Sequence, residues 1–298
     1  MLLDSEILDY LYKRIPEPSS VTSSHWQEIG KATVQKINGK WVFRASGISN
    51  FVPNNFLNRG RLVIKTKLAN RLLNEYNCND KLKLASVRLA KKQGRIHTHD
   101  CVRQALVINS VKDFLSQVKC VCVIGDGYGY LGTLLRISYP HLKVVSVNLN
   151  KILFLDVYYT KKVLPDQSLI LMQTKEDFGR CSMTFLRAED YHLLESQPID
   201  FFINVASFGE MNPRVSKQYF KYAQSSSSEK VYLYSCNREK KILPDGTITT
   251  FQDLPWAGTE TMFNERPGWY QKYPISKPPF WKPLDGPMRH RLAIIKQQ

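Results

Sequence analysis

The spacing of apolar residues changes near Lys119 and divides the chain into two parts. Between Leu2 and Ser116, apolar residues recur at helical intervals in LDSEILDYLYKR, TKLANRLLNEYN and CVRQALVINSVKDFL. One short stretch, 40–45, has the composition of a strand. We therefore predict that residues 1–115 form a helical N-terminal cap and that residues 116–298 form a domain of another type.

From Lys119 onward, short apolar strands alternate with amphipathic helices. The predicted strands are VCVI, LKVVSVNL, CSMTFL, IDFFINV, KVYLYSCN and a final HRLAIIK. The predicted helices are YLGTLLRISYP, KILFLDVYYTKKVL and NPRVSKQYFKYAQ. Such alternation predicts an α/β fold in which a doubly wound, Rossmann-like parallel sheet carries helices on both faces.

The regular pattern is interrupted before the last strand. Residues 253–285 are rich in Pro, Gly and Trp, and they show neither strand nor helix periodicity. Long irregular segments inside compact domains are usually lids or binding loops. We predict that residues 253–285 form an irregular C-terminal lid on the substrate side.

Charge and cysteine content narrow the class of protein. The 298 residues carry a net charge of +16, which favours an anionic partner such as nucleic acid, a membrane surface or an acidic substrate. Basic residues occur singly or in pairs and form no long run, and the six cysteines include no CxxC pair.

No apolar run approaches the roughly 18 residues of a membrane span. The start, MLLDSEILDY, is acidic where a signal peptide is basic. We predict a cytoplasmic protein whose charge would allow it to lie at the inner membrane face.

The segment VCVIGDGYG carries the clearest candidate chemistry. Gly125, Gly127 and Gly129 come directly after a predicted strand and directly before a predicted helix. At that position of a doubly wound sheet, glycines allow a tight turn and bring a ligand close to the helix N-terminus. The spacing is G-x-G-x-G, because Tyr130 stands where a dinucleotide-binding motif has its third glycine. A plain strand-to-helix turn is the alternative interpretation.

The GDGYG turn resembles the first motif of class I S-adenosylmethionine-dependent methyltransferases. Together with LFLDVYYTKKVL, NVASFGEM and YLYSCNREKK, it makes residues 118–237 similar to a bacterial family named for sugar O-methylation. In that family Ser-x-x-Glu-Met follows the fourth strand, as Ser207, Glu210 and Met211 do here. The resemblance implies that residues 116–298 bind S-adenosylmethionine and methylate a hydroxyl of a sugar, glycan or nucleotide sugar.

The resemblance also implies a set of cofactor-binding residues: Gly125, Asp126, Gly127, Gly129, Asn148, Glu189, Asp190 and Asn204. Two positions depart from the family. Asn148 stands where the second strand normally ends in an acid that binds the ribose hydroxyls, and Val123 replaces an acid near the first glycine. Glu189 and Asp190 match residues placed against the adenine amino group, and they also suit the first turn of a helix.

The acceptor site is less well specified. Amine-methylating relatives carry Asn/Asp-Pro-Pro-Tyr/Phe after the fourth strand, whereas NVASFGEM lacks it and so favours a hydroxyl acceptor, which needs a base. Glu210 is the first candidate for that base, with the N-terminal cap of the next helix as its alternative role, and His290 is the second. The resemblance implies that Ser207 belongs to the acceptor site, and sugar packing and anion binding suggest Trp256, Trp269 and Arg289. Burial alone would also explain the tryptophans.

Two other functions remain open at this stage. The net charge is compatible with an RNA or other nucleic-acid methyltransferase, and the departures at Val123 and Asn148 are compatible with a catalytically degenerate Rossmann-like binding protein. His97, His99 and Asp100 form an H-x-H-D pattern. Two histidines separated by one residue are only weak evidence for a metal site. We assign no metal site.

Overall fold

The computed structural model describes residues 2–3, 5–16, 21–29, 33–44 and 56–296. The helices are α1 (Ser5–Arg14), α2 (Ser24–Ile29), α3 (Phe56–Glu75), α4 (Asp80–Gln93), α5 (His99–Ser110), α6 (Lys112–Leu115), α7 (Tyr130–Ser138), α8 (Asn150–Val163) and α9 (Pro213–Gln224). The strands are β1 (Leu2–Leu3), β2 (Thr33–Ile37), β3 (Lys40–Arg44), β4 (Cys120–Ile124), β5 (Lys143–Asn148), β6 (Leu169–Leu171), β7 (Met183–Arg187), β8 (Phe201–Val205), β9 (Val231–Arg238), β10 (Lys240–Ile242), β11 (Ile248–Thr250), β12 (Thr259–Glu265), β13 (Lys272–Pro274), β14 (Trp281–Pro283) and β15 (Met288–Ile295). Short 3₁₀ segments cover Lys175–Asp177, Ala188–Leu194, Phe208–Glu210 and Gly268–Tyr270.

The main sheet has nine strands in the order β1-β6-β7-β5-β4-β8-β9-β15-β12. The strands from β6 to β9 in this order run parallel. β15 lies antiparallel between β9 and β12, and β1 pairs antiparallel with β6. Strands β5, β6 and β7 lie on one side of β4, and β8 and β9 lie on the other side. The direction in which successive strands are added therefore reverses between β4 and β8. This arrangement confirms the predicted doubly wound α/β fold and puts its ligand-binding crevice at that switch point.

Alternate residues of the central strands face two different cores. Along β4, Val121 and Val123 join the core under α7 and α8, whereas Cys120, Cys122 and Ile124 join the core under α9. This is the period of two that a pleated strand imposes. Because both faces are covered by helices, all five residues of β4 are buried. The apolar sequence of the predicted strands follows from this burial.

Helices α1, α4 and α5 of the N-terminal part pack against the helices on one face of the sheet. α1 packs on α8, α4 packs on α7 and α8, and α5 packs on α3 and α7. Their apolar residues Ile7, Leu72 and Leu106 belong to one core with Leu134 and Phe154. The strand predicted at 40–45 is β3, with residue 45 outside the described part of the chain.

Helix α4 was missed by the apolar pattern. Asn79 caps its start by accepting from Lys81 and Leu82, and Gly94, in the left-handed conformation at φ 75°, ends it. These are common start and stop signals of helices. Its exposed face carries Leu84 and Val87, at 50% and 42% exposure, which obscures the boundary between apolar and polar positions.

The segment 253–285 contains more regular structure than its sequence predicts. β12 pairs with β15 at the edge of the main sheet, and β13 and β14 form a small hairpin. No position of β12 is fully buried, so its sequence lacks the apolar alternation that identifies a half-buried strand. Among the described residues, no helix is long and apolar enough to span a membrane.

Candidate functional site

A cavity of about 240 Å³ lies at the carboxyl ends of β4, β5 and β8, where the strand order reverses. The glycine turn 125–128 forms one wall, Asn148 lies at the end of β5, and the residues 205–207 follow β8. Elements from the N-terminal part, including Trp26, and Tyr270 from the C-terminal segment also line it. This is the crevice that doubly wound sheets use for ligands.

The glycines of the turn are required partly by packing. Gly125, Gly127 and Gly129 have φ values of 74°, 61° and 59°, which disfavour other residues. A Cβ atom on Gly125 would collide with the side chain of Ser207, and one on Gly129 would lie 2.6 Å from the backbone oxygen of Asp156. The turn therefore brings β4 close to the end of β8 on one side and to α8 on the other.

The N-terminus of α7 is occupied by two carboxylates of the chain itself. The backbone N–H groups of Leu131 and Gly132 donate to Asp126 over 2.8 and 2.7 Å. The N–H of Gly129 donates to Asp156 Oδ1 over 2.7 Å. Dinucleotide-binding folds use this helix terminus to bind a pyrophosphate. Here the same donors are already paired.

The two carboxyl groups form a buried acidic pair. Burial raises the pKa of Asp126 to about 6, against the opposing effect of its backbone hydrogen bonds. Burial, and secondarily the charge of Asp126, raises the pKa of Asp156 well above its ordinary value. Like charges at this depth are weakly screened by solvent. The pair therefore resists full ionisation, and a cationic ligand bound beside the turn would favour its charged form, whereas an anion would not.

The structure explains the amide at position 148. Asn148 Nδ2 donates to Asp156 Oδ2 over 2.9 Å, and Asn148 Oδ1 accepts from the N–H of Leu149 over 3.0 Å. A carboxylate at position 148 would face the carboxylate of Asp156. Asn148 still lines the cavity, and its amide oxygen has a second lone pair for a ligand.

The other predicted cofactor residues differ in their surroundings. Both carboxylate oxygens of Glu189 are buried with no hydrogen-bond partner in the described structure. Asp190 accepts two hydrogen bonds from Arg187, over 2.6 and 3.0 Å. Asn204 joins β8 to β4 by donating to the carbonyl of Ile124 over 3.0 Å. These three side chains do not line the cavity, although the neighbouring Ala188 does.

Glu210 lines the cavity on the 3₁₀ segment that follows β8. Its Oε1 atom lies 2.6 Å from Lys241 Nζ and 3.3 Å from His25 Nε2. Burial acts to raise the pKa of Glu210, but the hydrogen bond from His25 and the charge of Lys241 outweigh it and lower the pKa. The hydroxyl of Ser23 also donates to the Glu210 carbonyl, which attaches the N-terminal segment to this edge of the cavity.

Four residues predicted for the base and the acceptor site are also not brought to the cavity. His290 is buried between strands, with ring nitrogens 3.1 Å from the Tyr234 hydroxyl and 3.3 Å from Glu265 Oε1. The remaining three contact other groups: Trp256 Nε1 donates to the Phe251 carbonyl, Trp269 stacks on Tyr270, and Arg289 pairs with Glu239. The structure thus gives His290 no contact with this cavity, and it places the two tryptophans in the core.

The H-x-H-D pattern forms no metal site in the described part of the chain. His97 Nε2 lies 2.8 Å from Ser86 Oγ, and His97 Nδ1 lies 2.8 Å from Asn70 Oδ1. Burial lowers the pKa of His97 to about 4. Among the residues that the structure describes, no three His, Cys, Asp or Glu side chains are grouped to hold a metal ion.

Two cavity residues, Arg95 and Arg103, were missed from the sequence because they come from distant elements. Arg95, Arg103 and Tyr270 all line the cavity. Arg103 pairs with Asp100, and its guanidinium carbon lies 4.1 Å from the centre of the Tyr270 ring. The only local signal is that Arg95 follows a helix that ends at Gly94.

No family model and no curated protein match the chain. Solved structures that match it include magnesium protoporphyrin IX methyltransferase from Synechocystis, at 13% identity and a TM-score of 0.43, over 76% of this chain and 100% of that one. A candidate RNA methyltransferase from Pyrococcus horikoshii matches at 14% identity and 0.45, over 74% and 100%. An S-adenosylmethionine-dependent methyltransferase from Aquifex aeolicus matches at 16% and 0.38, over 62% and 88%. These likenesses are distant, and the fold assignment rests on the strand order.

Proposed function

We propose that the protein is an S-adenosylmethionine-dependent methyltransferase. The observation that carries the proposal is the pair of buried carboxylates, Asp126 and Asp156, which occupies the N-terminus of α7. A dinucleotide needs those N–H groups for its pyrophosphate. S-adenosylmethionine has no phosphate, and its sulfonium is positive, so it suits a turn with an acidic floor.

The strand order supports the same choice. A dinucleotide-binding sheet has the order 3-2-1-4-5-6 and is mostly parallel. Counted from β4, the present sheet instead inserts its last strand, β15, antiparallel between β9 and β12. In this proposal the 125–128 turn contacts the methionine portion, Asn148 contacts the ribose and Glu189 lies on the adenine side.

The proposed acceptor is a hydroxyl, of a sugar, glycan or nucleotide sugar. When bound, the cofactor supplies an electrophilic methyl group, and the protein aligns an alcohol with it and removes the alcohol's proton. Glu210 is the proposed base, because it is a carboxylate in the cavity beside the end of β8. The hydrogen bond from His25 and the charge of Lys241 lower its pKa, so it is ionised at neutral pH and can accept the proton, although these contacts also weaken it as a base.

The test is transfer of a labelled methyl group from the cofactor to a panel of nucleotide sugars, free sugars and cell-surface glycans. Glu210→Gln keeps the shape of the side chain but removes its basicity. We expect it to lower turnover while changing cofactor affinity by less than about threefold. Glu229→Gln, on the exposed surface, is the matched control. Unchanged turnover in the Glu210 variant would remove this residue as the base.

A basic surface favours a second candidate, a nucleic-acid methyltransferase. Arg214, Lys217 and Lys221 follow one another along one side of α9 and line a shallow groove. An enzyme that uses them to bind RNA would lose affinity steeply as salt is added, because phosphate contacts release counterions. Methyl transfer to RNA with that salt dependence would favour this candidate. Binding of the cofactor with no transfer to either class would favour a degenerate binding protein.

A further inference from the structure

Arg95 lies at the glycine-turn end of the cavity. It follows the end of α4 and lines the cavity together with the 125–128 turn. Its guanidinium carbon lies 5.1 Å from the ring centre of Tyr128, 5.9 Å from that of Tyr130 and 5.7 Å from that of Tyr159. Aromatic faces attract a guanidinium group electrostatically. The three rings therefore hold the charge of Arg95 beside the turn.

This arginine differs from the other charged residues of the cavity in its partners. Arg103 pairs with Asp100, and Glu210 pairs with Lys241. The Arg95 side chain donates to the neutral amide oxygen of Gln93 over 3.2 Å. No acidic side chain of the described residues forms an ion pair with it, although its charge acts to lower the pKa of Asp126. A half-buried cation is stabilised when an anion completes its hydrogen bonds.

The backbone cannot supply an anion site at the same place. The N–H groups at the start of α7 already donate to Asp126 and Asp156. Arg95 is a cation in position to bind an anionic group near the turn. A guanidinium group binds a carboxylate through two parallel hydrogen bonds.

We infer that Arg95 forms a carboxylate subsite for the amino-acid end of the cofactor, an inference that rests on the proposed function. The acidic pair lies below the turn and the guanidinium group lies beside it. A ligand with a positive sulfonium and a negative carboxylate matches both. Arg95 then fixes the end of the cofactor remote from the adenine, and so limits where the methyl group can lie.

The experiment compares two ligands by calorimetric titration: S-adenosylmethionine and its decarboxylated analogue, which keeps the sulfonium and the amine but lacks the carboxylate. The proteins are the wild type, Arg95→Ala, Arg95→Lys and the control Arg88→Ala, whose arginine is exposed on α4. Melting curves establish that each variant is folded.

We expect the wild type to bind the complete cofactor about 10- to 100-fold more tightly than the analogue, as for a hydrogen bond to a charged group. Arg95→Ala should lose this preference by binding the cofactor more weakly and the analogue about as well as the wild type does. Arg95→Lys should retain part of the preference, and Arg88→Ala all of it.

The outcomes separate the inference from the proposed function. An equal loss of affinity for both ligands in Arg95→Ala, or no loss for either, would overturn the carboxylate subsite and leave the cofactor assignment standing. Failure of the folded wild type to bind either ligand would overturn the proposed function and the subsite together.

Discussion

Asn148 and Asp156 form a hydrogen-bonded pair whose side chains can be exchanged. Asn148 Nδ2 donates to Asp156 Oδ2, Gly129 donates to Asp156 Oδ1, and Leu149 donates to Asn148 Oδ1. Asn148→Asp alone places two carboxylates opposite each other. In Asp156→Asn alone, the oxygen at 156 still accepts from Gly129, so the NH2 group at 156 faces the NH2 group of Asn148. When both substitutions are made, the amide at 156 donates to the carboxylate at 148. The backbone N–H groups of Gly129 and Leu149 then keep an oxygen acceptor.

The expected magnitude follows from burial. Asp156 is completely buried and Asn148 is 8% exposed, so solvent cannot replace the lost hydrogen bond. A hydrogen bond to a charged group contributes about 1.5–3 kcal/mol, and an unpaired buried partner adds to the loss. We expect each single substitution to lower the free energy of unfolding by roughly 2–4 kcal/mol, and the double variant to lie within about 1 kcal/mol of the wild type.

Urea unfolding of the four proteins at about pH 7 and about pH 5 measures this cycle. The loss in Asn148→Asp should shrink at the lower pH, because facing carboxylates have raised pKa values in the folded state and one of them takes up a proton. The loss in Asp156→Asn should not shrink in this way. A double variant whose loss equals the sum of the two single losses would refute this explanation of the amide at 148.

Two further predictions concern the same turn. Gly129→Ala should lower the free energy of unfolding by at least about 2 kcal/mol, because its Cβ would lie 2.6 Å from a backbone oxygen of α8. Gly127→Ala should cost only about 1 kcal/mol, since it meets no heavy atom within 4 Å at a similar φ. Equal losses in urea unfolding would contradict this difference. Burial raises the pKa of Asp126 from 3.8 to about 6. Between these pH values the folded state therefore binds more protons than the unfolded state. The contribution of Asp126 to stability falls as the pH rises through this interval. Asp126→Asn should therefore make the melting temperature change less with pH over that interval, and an unaltered slope would count against the assignment.

The central strands and helices could be predicted because burial on both faces leaves a strong pattern. β4, β5, β7, β8 and β9 are apolar runs between amphipathic helices, and each lies where the pattern placed it. β1 and β6 have only two and three residues, too few to show a period. β12 lies at an exposed edge, so its composition does not separate it from a loop.

The candidate site was predictable only where local sequence determines geometry. Gly125 and Gly127 were found because the turn itself requires glycine. Lys241 and His25 reach Glu210 from distant segments, and no sequence period records such a contact. His290 lies on the predicted final strand, but it faces the core because the strand's register with its neighbours decides which side chains point inward.

The most direct test of the proposed cofactor is calorimetric titration of the wild-type protein with S-adenosylmethionine, with its demethylated product and with NAD. If Asp126 and Asp156 exclude a pyrophosphate and the cavity holds the adenosyl and amino-acid groups that S-adenosylmethionine shares with its product, the first two ligands bind in the micromolar range and NAD does not bind. Binding of NAD more tightly than S-adenosylmethionine, or binding of none of the three by the folded protein, would contradict the account.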